Sequence, residues 1–175
     1  MDSTDVRLIG MSSVSRKSPY WSYKLNSPGR RYQCIISLDG RFLKIWGGYS
    51  PKVYDGQFVE MFKQELKNEF QGAKILADCH YKTAKGLIKG VEFFVPYEAR
   101  RPRKRKRNDD GSNLECLTKK KQKWNQQVRQ VRARVEHPFG ELKQKWASLD
   151  CPFADGPEQL DCVFWIAAAV HNLSK

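Results

Sequence analysis

Three acids of this chain stand in three different local settings, and carboxylates so placed could hold metal. Asp2 precedes an apolar-rich run, Asp78 closes the short run from Ala73 to Ala77, and Glu136 lies within a long helical pattern. Their oxygens are hard donors suited to Mg²⁺ or Mn²⁺. Two such ions sharing carboxylates can activate a water or a 3′-hydroxyl on one side of a phosphodiester and stabilise the oxygen leaving on the other. Spacing does not single these acids out, because any chain of this size has acids at such separations. Each also has a plainer role open to it. Asp2 could be a frayed, solvated terminal residue, Asp78 a helix N-cap, and Glu136 the i,i+4 partner of Arg132. The face that carries Glu136 also carries Arg129, Arg132 and Lys143, so it could instead present the glutamate among cations that hold phosphates. Asp55 reads as a cap for the helix that follows it, with support of the site as the lesser reading.

The elements that would position these acids alternate between strand and helix. Val6 to Ile9 reads as a strand, and a loop rich in Ser, Pro and Gly runs on to about Arg30. Arg31 to Leu38 and Phe42 to Trp46 form a hairpin, with Asp39-Gly40 as a type I′ turn signal. Phe58, Met61, Phe62, Leu66 and Phe70 fall at helical spacing over 57–70, and the buried strand ending at Asp78 follows. A short helix over Tyr81 to Ile88 and a strand over Val91 to Val95, ended by Pro96, come next. The apolar series Trp124, Val128, Val131, Val135, Phe139, Leu142 and Trp146 predicts a long helix kinked at Pro138. Asp155 or Gly156 caps a last helix that turns Leu160, Val163, Phe164, Ala167 and Val170 inward, with Pro157 in its first turn. The tryptophans at 124, 146 and 165 read as packing, and His137 and His171 as surface or core residues. This is an α/β layer pattern, and 175 residues at 40% hydrophobic suit a single domain, 1–175, around one core.

Charge names the partner class. Lys and Arg outnumber Asp and Glu by 32 to 19, a formal charge of +13, which favours a polyanion, with DNA ahead of an acidic membrane surface. No apolar run is long enough for a membrane helix, and the first residues lack the pattern of a secretory signal, so export is not expected. The five cysteines form no C-x-x-C pair and are expected to be thiols rather than a disulfide framework or a zinc site. The segment 99–121 reads as a basic insertion. Its run R-R-P-R-K-R-K-R, with Arg103, Lys104, Arg105, Lys106 and Arg107, fits a nuclear import signal or a clamp on the DNA backbone. A nuclear location with some DNA contact is the favoured reading.

A resemblance sharpens this. Asp2-Ser3-Thr4-Asp5-Val6 resembles the D-G-T segment that opens DDE transposase domains of the Harbinger type and of related bacterial insertion sequences. Ile75-Leu76-Ala77-Asp78-Cys79-His80-Tyr81 is similar to their l-a-D-x-G-Y segment, and Arg132 to Lys143 resembles their R-x-x-V-E-x-x-F-G-x-L-K helix. Val53-Tyr54-Asp55 resembles the tyrosine- or histidine-aspartate pair that this family carries between its first two acids. The motifs keep the family's order along nearly the whole chain. Ser3 and His80 stand where the family has glycine, and only Met1 stands where the family has an apolar strand before its first aspartate, so a shortened first strand is expected.

The resemblance implies an RNase H-like α/β fold in which Asp2, Asp78 and Glu136 bind two divalent metals, Mg²⁺ or Mn²⁺, for DNA strand cleavage and joining. Arg129, Arg132, Lys143 and the basic run would hold DNA. Specificity for DNA ends would then come from a homodimer or a separate recognition protein. A second reading is a catalytically inactive, truncated or domesticated descendant that binds DNA or protein partners through its charge. A third is a nuclease of the same fold unrelated to transposition.

Overall fold

The structure is a computed structural model and describes residues 1–9, 14–98 and 117–175. Its centre is strand β3 (Ser27–Ile36), which pairs antiparallel with β1 (Asp2–Arg7) and with β4 (Phe42–Tyr49). A two-residue strand β2 (Trp21–Ser22) pairs with the start of β3. Strands β5 (Lys74–Leu76) and β6 (Glu92–Phe94) form a separate parallel pair. Met1 joins the two sheets, its amine donating to the Leu76 carbonyl at 2.6 Å.

Period-two alternation along β3 divides the interior. Tyr32, Cys34 and Ile36 face one core, where α3 (Lys119–Lys145), α4 (Ala147–Asp150) and α5 (Pro157–Leu173) bring Val135, Phe139, Leu142, Leu149 and Phe164. Ile35 faces the other core, with Phe58 and Val59 of α1 (Asp55–Met61), Leu66 of α2 (Lys63–Glu69), Ile75, Tyr81 and Phe93. Helices thus flank a small mixed set of strands. Tyr32 and Phe164 stack with ring centroids 4.0 Å apart, and the Tyr32 hydroxyl bonds Asp161, which fixes α5 on β3.

Several boundaries differ from expectation for identifiable reasons. Asp2 lies within β1 opposite Cys34 rather than on a frayed end, because the polar residues Asp2 to Asp5 still find ladder partners on β3. The helix expected over 57–70 divides at Phe62, whose φ of −105° and ψ of 17° leave the helical region. A 3-10 turn (Cys79–Ala84) replaces the short helix over Tyr81 to Ile88. Asp39 does not take the positive φ of a type I′ turn. Ser37 pairs with Arg41 across a three-residue loop in which Gly40 alone has positive φ, +91°. The long helix begins at Lys119, capped by the Thr118 hydroxyl, so the end of the expected insertion is its first turn. Pro138 lies inside this helix, buried. On α5 the buried face is Leu160, Phe164, Ala167, Ala168 and His171, while Trp165 and Val170 are exposed. That face takes in four of the five positions expected inward, with Leu160, Phe164 and Ala167 buried and Val163 partly buried against the same core.

Candidate metal and nucleic-acid site

Asp2, on β1, and Asp78, two residues beyond the end of β5, line one cavity of about 440 Å³, together with Asp55, Lys24 and Arg31. The pairing of β1 with β3 sets Asp2, and the Ala77 amide bonded to the Phe94 carbonyl at 3.0 Å sets the backbone just before Asp78. Each aspartate is anchored through one oxygen. Asp2 Oδ1 accepts from the Ser3 amide at 2.8 Å, and Asp78 Oδ1 accepts from the His80 amide at 2.6 Å, capping the 3-10 turn. The capping role and the place in the cavity are therefore compatible, since a carboxylate has a second oxygen to offer.

Glu136 is placed differently. Its side chain is 64% exposed on α3 and does not line the cavity. Arg132 lies between the two, with Nη2 at 3.4 Å from Asp2 Oδ2 and 4.0 Å from Glu136 Oε1. The i,i+4 pair with Arg132 is thus present, though an exposed pair of that length contributes little. Lys143, on the same helix, points back to β1, where Nζ donates to the Asp5 carbonyl at 3.4 Å. Burial, followed by the charge of Lys24, holds its ammonium below the ordinary lysine range. Lys24 Nζ itself reaches the Ser3 carbonyl at 3.1 Å. Arg129 is exposed on α3. Arg103, Lys104, Arg105, Lys106 and Arg107 lie outside the described residues.

Asp55 does not cap its helix. The N-cap position is Tyr54, and Asp55 is the first helical residue, its Oδ1 accepting from Gln33 Nε2 at 2.7 Å. Gln33 is buried on β3, and its Oε1 accepts from the buried Tyr81 hydroxyl. Burial raises the Tyr81 phenol well above its ordinary range, and the charges of Asp55, Asp2 and Asp78 add to that. The signal available in the sequence was Gln33 itself, one amide inside the run Tyr32-Gln33-Cys34-Ile35-Ile36. A buried amide in such a strand needs partners on the same face.

The remaining cation of the cavity is firmly held. Arg31 makes two bonds to buried Asp5, at 2.7 and 3.0 Å, and one to the Val53 carbonyl at 3.0 Å, while Ser22 also donates to Asp5 at 2.6 Å. Among the described residues, Asp78, Cys79 and His80 are a set of three donors within 4.8 Å of one another. That set is less suited to a hard divalent cation, because its thiol is a soft donor. A larger cavity of about 680 Å³ beside β5, β6 and Trp124 has Glu92 as its only acid among the described residues. The acids meet in the smaller one.

The donor set of the smaller cavity, carboxylate oxygens beside lysine and arginine, fits a hard divalent cation next to a phosphate. Among the described residues, no helix is long and apolar enough to cross a membrane. The model of one protein family, DDE superfamily endonuclease, matches residues 1–172. No curated protein and no solved structure matches the chain.

Proposed function

The chain belongs to the DDE superfamily endonucleases, and from that premise we propose that it is a transposase-like core that cleaves and joins DNA with divalent metals. The observation that carries this reading is the meeting of Asp2 and Asp78 in one cavity beside Lys24 and Arg31. In this proposal the fold is RNase H-like. Three antiparallel strands, with β5 brought to the start of β1 by the Met1 to Leu76 bond, support it.

Mg²⁺ or Mn²⁺ bound there would supply Lewis acidity toward the phosphodiester. Asp2 and Asp78 would hold the ions, each already oriented through its anchored oxygen, so little side-chain freedom is lost on binding. Glu136 would join them from α3, with Arg132 moving from the two carboxylates to a DNA phosphate. Lys143, Arg129 and the basic run 103–107 would hold the backbone of the duplex. Arg31, saturated by Asp5 and Val53, would keep its place and balance the charge of the acids. A nuclear location and a homodimer or separate recognition protein belong to the same proposal.

The position of Glu136 favours a second reading, an inactive descendant that binds DNA through its charge, because this side chain faces solvent and Arg132 rather than the cavity. Nicking of supercoiled plasmid with Mg²⁺ or Mn²⁺ separates the two. Cleavage that disappears in EDTA and in Asp78→Ala and Glu136→Ala identifies the endonuclease. Plasmid binding without metal-dependent cleavage identifies the inactive form.

A further inference from the structure

We propose that the larger cavity, beside β5, β6 and α3, is a stacking site for the bases of single-stranded DNA. The choice of DNA rests on the proposed function, whereas the site itself needs no metal. The cavity measures about 680 Å³ and shares no lining residue with the cavity of Asp2 and Asp78. Phe94, Tyr97 and Trp124 give it an aromatic wall, and Lys74 and Lys85 line it as cations. Strand β5 begins at this cavity with Lys74 and ends two residues before Asp78. At most about 15 Å of chain therefore separates the two, which puts both sites within reach of one DNA strand.

The aromatic wall is held from behind while one ring stays open to solvent. Tyr97 is 44% exposed, yet Asn125 of α3 clamps its backbone, accepting from its amide and donating to its carbonyl, both at 2.8 Å. Trp124 is half-buried against Phe94, with centroids 5.8 Å apart, and its Nε1 donates to the Val95 carbonyl at 3.4 Å. An exposed ring on a fixed backbone receives a base without first ordering a loop. Lys85 and Lys121 bring their ammonium groups to 5.6 and 5.3 Å from the centroid of the same Tyr97 ring. Like charges gathered on one ring repel each other, and cation–π attraction at an exposed ring is weak. A base stacked on Tyr97 would carry a phosphate on either side, and the flexible lysine stems can swing from the ring to meet them. Gly72 and Gly86 leave the rim open, since a Cβ at either would have nothing within 4 Å. Bases in a duplex already stack on one another, so the site selects unpaired strand.

The test is fluorescence anisotropy of the full chain in EDTA with three labelled probes of about 12 nucleotides: a thymidine strand, an abasic strand of equal charge, and a duplex. The wild-type chain is expected to bind the thymidine strand about tenfold more tightly than the abasic one. Tyr97→Phe keeps the ring and is expected to keep that preference. Tyr97→Leu keeps bulk without a π-face and is expected to lose it, with duplex binding held within about twofold. A wild-type chain or a folded Tyr97→Leu chain that departs from this, the first by showing no preference and the second by retaining it, would overturn the inference and leave duplex binding standing. So would a Tyr97→Leu chain that loses thymidine strand and duplex alike. A chain that binds no DNA of any kind would overturn both this inference and the DNA reading. Should Tyr97→Leu fail to fold, photocrosslinking of the wild-type chain to a bromodeoxyuridine strand decides: adducts at Tyr97 or Trp124 support the site, and adducts confined elsewhere remove it.

Discussion

Tyr81 is a phenol whose ionisation the fold opposes, first through burial and then through the charges of Asp55, Asp2 and Asp78. Its folded value lies well above the ordinary 10.0, so the unfolded chain loses this proton first as pH rises. Stability from this group is complete below about pH 10 and falls above it. Urea midpoints are expected to decline as pH rises above about 10, and Tyr81→Phe should flatten part of that decline; an unchanged pH slope in the variant would assign it to other groups. Asp5 makes a second claim at this scale. Its side chain is fully buried and holds Arg31 through two bonds. Asp5→Ala would strand a largely buried guanidinium and is expected to cost about 3–5 kcal/mol in urea unfolding, because breaking one partner of a buried pair leaves the other uncompensated.

Among the elements, β4 shows how closely a strand and a core ring can be matched. A Cβ at Gly47 would lie 2.3 Å from the Tyr32 ring, which cannot retreat because it stacks on Phe164 and bonds Asp161. Gly47→Ala is therefore expected to destabilise by about 1–3 kcal/mol through overpacking, measured as a lower urea midpoint with an unchanged slope. Nothing in the sequence announced that contact, since Gly47 and Tyr32 meet only once β3 and β4 have paired. Much else was legible. The hairpin, the strand ending at Asp78 and the helix carrying Glu136 follow from local apolar period, which these elements express strongly. Asp2 was harder, because Asp2 to Asp5 carry little strand propensity and become β1 only through pairing with β3. Asp55 was harder still. Its place in the cavity depends on Gln33 and Tyr81, residues far apart in the chain, whereas the sequence next to it suggested a cap. The inward face of α5 was read from its period as well: Leu160, Phe164 and Ala167 are buried and Val163 packs against the same core, and of the residues expected there only Val170 is exposed.

For the molecule as a whole, a charge of +13 must coexist with a cavity that gathers three aspartates. The two are compatible if cations surround the acids, and Lys24, Arg31, Arg132 and Lys143 all lie against β1 or the cavity. A duplex reaching the cavity would gain from its basic rim and lose by the repulsion of unneutralised carboxylates. Binding of a short duplex in EDTA is therefore expected to weaken linearly with the logarithm of salt, with a slope of about −0.9 per phosphate neutralised. Arg129→Ala, on the exposed face of α3, is expected to lower the magnitude of that slope by about one while leaving the fold intact. Asp78→Asn is expected to act oppositely in EDTA, strengthening duplex binding because one repelling charge is gone, and to lose the further strengthening that Mg²⁺ gives the wild-type chain. Fluorescence anisotropy across a salt series with and without Mg²⁺ reads all of this. An Asp78→Asn chain that binds DNA as the wild type does in both buffers would mean that phosphate does not come near the cavity, and that the basic surface serves some other polyanion contact.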